Sequence, residues 1–426
     1  MDDLTTPDRG PAPTVPRAAR LLVFDGDDPR LAAAAWSRLA EPGDVVAGAL
    51  VAQLGAPGAL AWLVDAVADP GRAVAGAGGA DALAGDPGSG VPPGLPPAGR
   101  RRAAERLAAA VGRWAPRLAS LDPRRELRVL DRCGGTLLLP GDPGWPTRLD
   151  DLGPAAPLVL WVRGRADVAS WSRRSVAVVG ARAATSYGER VSAELGSGLA
   201  ERGFTVVSGG AYGIDVAAHR GAVAAEGTTC AVLAGGVDRF YPQGNEDVLR
   251  RVAATGAVLS EVPPGSAPFR QRFLARNRVI AALTSATVVV EAAHRSGALS
   301  TARRAAELLR PVGAVPGPVT SMASAGCHAL LRDAVAVCVT GPDDVADLAG
   351  AVGAEVAAPP PRTELPRDAL GPDERVLWDA VPARSAASVD SVARAAGLDP
   401  RRVLTLLGGL ERRGLVRRDG GRWRRD

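Results

Sequence analysis

SVAVVGARAATSYG (175–188), FTVVSGGAYGID (204–215), AVLAGGVDRFYP (231–242) and TVVVEAAHRSG (287–297) repeat one device. A short apolar strand runs into a glycine-containing turn, and a helix follows. Strands that alternate with helices at spacings of roughly 25–30 residues build a parallel sheet. Every strand-to-helix turn of such a sheet lies on the same rim. That rim collects glycine-opened backbone and helix N-termini, which suits it to phosphate.

The individual turns narrow the ligand. Gly180-Ala181-Arg182 is not G-x-G-x-x-G, and no acidic residue ends the next strand, so a dinucleotide is disfavoured. Arg182, with Thr185, Ser186 and Tyr187 ahead of the helix, suits an oxyanion better than a dinucleotide ribose. The bland alternative is an arginine salt-bridged there. In the second turn, which opens at Ser208, Gly209, Gly210 and Gly213 allow φ > 0 and close backbone approach. Asp215 reads as a brace, because a carboxylate would repel phosphate. FRQRFLARNRVI (269–280) holds Arg270, Arg272, Arg276 and Arg278, with Asn277 among them. On a helix Arg272 and Arg276 share a face, which is unfavourable unless an anion neutralises them.

The chain has five Phe and three Tyr. All but Phe24 lie between 187 and 273, and Tyr187, Tyr212, Phe240, Tyr241, Phe269 and Phe273 sit in or beside the turns. Rings among arginines on a phosphate rim fit stacked bases, each worth about 1–3 kcal/mol; packing anchors are the alternative. Glu261 and Glu291 end strands and could in principle do acid–base work. No histidine is paired with a nucleophile, so no catalytic set emerges.

Composition bounds the rest. A chain of 426 residues, 46% hydrophobic and 23% charged, is globular with room for two or three domains. It contains no Lys, so all 51 basic residues are Arg. That removes Schiff-base and Walker-type chemistry. The net charge of +5 is local: from Asp399 to Asp426 nine Arg face four acids, leaving 42 against 42 elsewhere. Four Cys without CxxC and three His without HxxH read as reduced thiols and no metal site. The acidic start and the lack of a long uninterrupted apolar run disfavour secretion and membrane spanning, and predict a cytoplasmic protein.

Residues 1–20 read as disordered. Residues 21–120 read as a small helical domain, with helices at LAAAAWSRLA, VVAGALVAQL and ALAWLVDAVA, a flexible insert at 69–99, and a helix resuming at 100–119. Short strands TLLLP and LVLWVRG, broken by GDPGWP, lead into an α/β domain spanning 125–350. A Pro-rich linker follows at 351–370. Residues 371–426 read as three helices and a hairpin around Asp419-Gly420-Gly421, a winged helix-turn-helix.

Together these residues resemble the DNA-processing protein A family (DprA, also called Smf). The family's VGxR-xx-TxYG stands at Val179–Gly188 and its SGGAxGID at Ser208–Asp215. AAHRGA follows at 217–222, GGxDxxYP at Gly235–Pro242 and SExPPG at Ser260–Gly265. FxxRNR stands at Phe273–Arg278, VVVEAxxxSGxLxTA at Val288–Ala302 and VPG at Val315–Gly317. Departures are Gly326-Cys327-His328, the Asp at 333 and the 69–99 insert.

The resemblance implies an extended Rossmann-like parallel sheet domain that binds single-stranded DNA, needs no cofactor and is not an enzyme. It implies a homodimer through that domain. It also implies loading of the RecA recombinase and protection of incoming or processed strands in natural transformation and homologous recombination. By carry-over the DNA site comprises Gly180, Arg182, Thr185, Tyr187, Gly188, Ser208, Gly209, Gly210, Gly213, Arg276, Asn277, Arg278, Ser296 and Gly297. Either Phe240 or Tyr241 would stack on a base, and Asp215 and Glu291 would brace the turns. Two other readings are weaker. A nucleotide hydrolase of the related Rossmann-like group needs a PGGxGTxxE turn, which 290–297 lacks. A duplex-binding transcription factor rests on the C-terminal winged helix and its basic tail, without a regulatory domain.

Overall fold

Valine-rich runs bounded by glycine dictate the centre of the molecule. The computed structural model describes residues 22–69, 97–350 and 366–426. The disorder expected at 1–20, all but the ends of the 69–99 insert, and most of the 351–370 linker lie outside the described residues. Nine strands form one sheet: β1 (Gly135–Leu138), β2 (Leu160–Gly164), β3 (Ser175–Val179), β4 (Thr205–Ser208), β5 (Thr229–Leu233), β6 (Ala257–Ser260), β7 (Ala286–Val289), β8 (Val312–Ala314) and β9 (Val337–Cys338). Their spatial order is β1-β2-β6-β5-β4-β3-β7-β8-β9. From β6 to β9 every pairing is parallel, while β1 and β2 form an antiparallel edge. Strands β3 to β7 are buried on both faces, hence their continuous apolar runs. The chain winds from β3 to β6 in one direction and then returns to place β7 on the other side of β3. The switch point, where such sheets bind ligands, lies between the carboxyl ends of β3 and β7.

Helices precede and cover the sheet. Before it stand α1 (Pro29–Leu39), α2 (Val45–Ala68), α3 (Pro97–Leu118) and α4 (Pro123–Arg132). The two helices expected between 45 and 68 are present within α2, separated at Gly55, whose φ of 70° and ψ of 163° are non-helical, two residues before Pro57. Asp28 and Asp44 cap α1 and α2 by accepting from backbone N–H groups. By length and composition α2 could cross a membrane. Its Leu50, Leu60 and Leu63 are instead buried in a core with Trp36 and Trp114, whose rings meet edge-on at 5.1 Å.

Around the sheet run α5 (Val168–Ser172), α6 (Ser186–Glu201), α7 (Ile214–Ala224), α8 (Glu246–Thr255), α9 (Arg270–Leu283), α10 (Gly297–Glu307), α11 (Ala325–Arg332) and α12 (Pro342–Ala349). Ile280, Leu283 and Leu299 of α9 and α10 pack on one side of the sheet, and Leu195, Ile214 and Val345 of α6, α7 and α12 on the other. All of this, with the N-terminal helices, is one compact unit through residue 357.

A second unit covers 358–426. It contains α13 (Pro372–Ala380), α14 (Val389–Ala396), α15 (Pro400–Arg412), and a hairpin of β10 (Val416–Asp419) and β11 (Arg422–Arg425). Gly420 and Gly421 turn the hairpin with φ 56° and 84°, the conformation a two-residue turn demands. Leu377, Leu407 and Trp423 share its core.

Candidate nucleic-acid interface

The carboxyl ends of β3 and β7 and one face of α9 enclose a cleft of about 510 Å³. It lies at the switch point. Gly180, Arg182, Asp215, Arg276, Asn277, Ser296 and Gly297 line it, together with Arg270, Phe273 and Leu274.

The turn after β3 is locked from β7. Gly180 must be glycine, because a Cβ there would stand 2.5 Å from Ile214 Cγ1 and 2.9 Å from the Glu291 carbonyl oxygen. Thr185 caps α6 and accepts from the Gly188 N–H at 3.2 Å. The Thr185 hydroxyl and N–H donate to the two Glu291 carboxylate oxygens at 2.6 and 2.9 Å. Glu291 is buried and spent on this turn. A Cβ on Gly188 would strike that carboxylate at 2.3 Å. Tyr187 is an anchor: its hydroxyl donates to the Pro316 carbonyl at 2.7 Å and its ring packs on the α6 core.

The turn after β4 is held from within. Asp215 accepts from the Gly209 and Ala211 N–H groups at 3.1 and 3.3 Å. Burial pushes its carboxyl up, against the opposing pull of Arg276 and these donors. The Ser208 hydroxyl donates to the Val178 carbonyl at 2.6 Å. Gly210 and Gly213 have φ of 68° and 74°. The Arg276 guanidinium donates to the Gly209 carbonyl at 2.8 Å and to that of Val232, tying the ends of β4 and β5. Burial, opposed by Asp215, brings it down to about 10, so it stays charged at neutral pH. Ser296 caps α10, and Asn277 donates to the Gly297 carbonyl at 3.3 Å.

Three sequence expectations need correction. Arg278 does not reach the cleft. Its guanidinium donates to both carboxylate oxygens of part-buried Glu261 at 2.7 and 2.6 Å. Arg272 donates to Glu41 at 2.8 and 3.1 Å and to the Ala267 carbonyl at 3.0 Å. Arg272 and Arg278 of α9 are thus neutralised by this chain's own acids, without an external anion. Burial pushes Glu41 up, but Arg272 and Arg117 together hold it below its usual value. Phe240 is buried in a core with Leu233 and Leu249, beneath the Arg163 guanidinium at 4.7 Å. Tyr241 is 50% exposed and its ring centroid lies 6.0 Å from that of Phe273. Only Tyr241 of this pair offers a free face.

Arg182 is exposed, and its guanidinium sits 4.7 Å over the Phe273 ring. Among the described residues no carboxylate pairs with it. Exposed Arg270 lines the same mouth, and exposed Arg295 precedes the lining residue Ser296; neither was among the expected DNA-site residues. For Arg270 a signal existed. Residues 270, 273, 274 and 277 fall on one face of α9, and exposed Leu274 marks that face as one that does not pack inward.

The family profile of DNA recombination-mediator protein A matches residues 136–350. The chain belongs to that family. A putative DNA processing protein DprA of Mycobacterium tuberculosis is 50% identical over 309 residues, covering 70% of this chain and 79% of that protein. The DNA processing protein DprA of Streptococcus pneumoniae is 40% identical over 192 residues, covering 45% of this chain and 67% of that protein. The X-ray structure of DprA from Streptococcus pneumoniae superposes with a TM-score of 0.52 at 34% identity, over 57% of this chain and 86% of that one. As a member of the family, the protein is a DNA recombination mediator and not an enzyme. The matched span contains the whole cleft.

Proposed function

We propose that the protein binds single-stranded DNA across the mouth of this cleft and hands the strand to the RecA recombinase. The observation that carries this reading is the exposed, unpaired Arg182 stacked on Phe273 beside the exposed ring of Tyr241. A cation and free aromatic faces together suit a phosphate and its base, with tolerance of sequence. Arg270, Arg295 and the N-terminus of α10 extend the positive edge. Arg276, Asp215 and Glu291 act beneath it as the frame that shapes the turns. Strand protection in transformation or recombination, a homodimer through the sheet domain, and work in the cytoplasm without a cofactor complete the reading. The three helices and arginine-rich hairpin of 371–426 act as a winged helix.

Fluorescence anisotropy with labelled single-strand and duplex oligonucleotides tests the binding step. Single-strand affinity should exceed duplex affinity and fall in Arg182→Ala. Equal affinity of wild type and variant would remove the cleft mouth as the site. RecA filament assembly on a strand coated with single-strand-binding protein tests delivery.

A further inference from the structure

Four arginines of α3 form one stripe. Arg102, Arg106, Arg113 and Arg117 fall within about 60° of each other on the helix surface, at 100° per residue. The next sector of α3 holds Leu107, Ala110, Trp114 and Leu118 and is buried in the helical core. The stripe therefore stands at the edge of that core and faces outward. Arg102 and Arg106 are exposed and have no acidic partner among the described residues. Arg106 and Arg113 line a groove of about 460 Å³ against the loop 41–46.

This stripe joins the cleft. At its end Arg117 donates to Glu41 at 2.8 Å, and Glu41 in turn receives Arg272 of α9. The Arg272 guanidinium also lies 4.5 Å over the exposed ring of Phe269, the residue before Arg270, which lines the cleft mouth from the other side of α9. Five arginines from Arg102 to Arg272 share only Glu41 and Asp44 as ion-pair partners, so the strip carries an excess of three positive charges. The Arg113 side chain is 57% exposed and its contact with Asp44 is a single one at 3.3 Å, which leaves its remaining N–H donors open to phosphate. Arginine's planar fork suits phosphate oxygens. The stripe from 102 to 117 is about 22 Å long at the helical rise, enough for several consecutive phosphates.

We propose that α3 continues the single-strand track beyond the cleft, so that a strand leaving Arg270 passes the Glu41 junction and runs along Arg117, Arg113, Arg106 and Arg102. This rests on the cleft mouth being the primary site. It gives the helical N-terminal region a role as an extension of the binding footprint.

The test compares oligothymidylates of about 6 and about 16 nucleotides, the span of known footprints, on the full chain. The variants are the double charge reversal Arg102→Glu/Arg106→Glu and, separately, Arg182→Ala. The double variant should bind the short strand like wild type and lose about tenfold in affinity for the long one. Its salt slope on the long strand should be shallower by about 1.4, for two phosphate contacts. An unchanged advantage of the long strand overturns the extension. So does an equal loss on both lengths, which would mean a diffuse field and no track. Failure of the primary site has a different signature, with Arg182→Ala binding both lengths normally. Because both reversed residues are exposed, the thermal midpoint should not move, and a large drop in it would mark the stripe as structural and overturn the proposal.

Discussion

Arg278 and Glu261 form a two-pronged ion pair, with Nη–Oε distances of 2.7 and 2.6 Å and side chains 8% and 9% exposed. Gly43 of the helical region closes over it: a Cβ there would lie 3.0 Å from Arg278 Nε. An arginine that looks like a phosphate ligand in the sequence is thus part of the seam between the N-terminal helices and the sheet.

Arg278→Ala should therefore act on stability. It leaves a buried carboxylate unpaired, which costs about 3–5 kcal/mol. Urea unfolding should show that loss. A normal unfolding midpoint with lost DNA binding would place Arg278 in the site after all.

Arg182→Ala should do the opposite. The side chain is exposed and its contact with Phe273 is worth about 0.5–1 kcal/mol. Thermal unfolding should barely move. The slope of log affinity against log salt for single strands should fall by about 0.7, for one phosphate contact. An unchanged slope would mean that Arg182 touches no phosphate.

The adjacent rings 240 and 241 should separate cleanly. Tyr241→Ala should weaken single-strand binding by about 1–3 kcal/mol and leave folding intact. Phe240→Ala should cost about 3–5 kcal/mol of stability through a core cavity. Binding and unfolding measured on both variants would expose a reversed assignment.

His219 should make stability depend on pH. It is fully buried, with Nδ1 2.7 Å from Thr229 Oγ1 and Nε2 unpartnered. Burial, with Arg276 nearby, pushes it down to about 3. Its folded pKa lies below the unfolded value of about 6.5, so the unfolded chain binds the proton first. The contribution is fully present above pH 6.5 and falls by about 1.4 kcal/mol per unit below it. Urea unfolding between pH 7 and 5.5 should show this decline, and His219→Asn should flatten it. An identical pH profile in the variant would refute the assignment.

Much of the architecture was legible locally. Strands β3, β4, β5 and β7 announce themselves as apolar runs leading into a glycine-containing turn, because strands buried on both faces have no polar side to show. Asp399, Gly397 and the Gly420-Gly421 turn mark the elements of the tail in the same local way. The break inside α2 is local in the same way, since Gly55 leaves the helical conformation two residues before Pro57 and separates the two apolar helical runs.

The sequence by itself determined the parallel sheet, its glycine-opened rim and the concentration of arginines and rings there, because these follow from short-range pattern. Only the tertiary structure decided which of those residues face a ligand. Arg272 is neutralised by Glu41, 231 positions away, and the Thr185 hydroxyl donates to Glu291, 106 positions away. Arg278 and Phe240 are covered by packing, while Arg182 and Tyr241 are left open. Helical phase and turn chemistry are local, but burial and charge neutralisation depend on distant segments that meet only when the chain has folded.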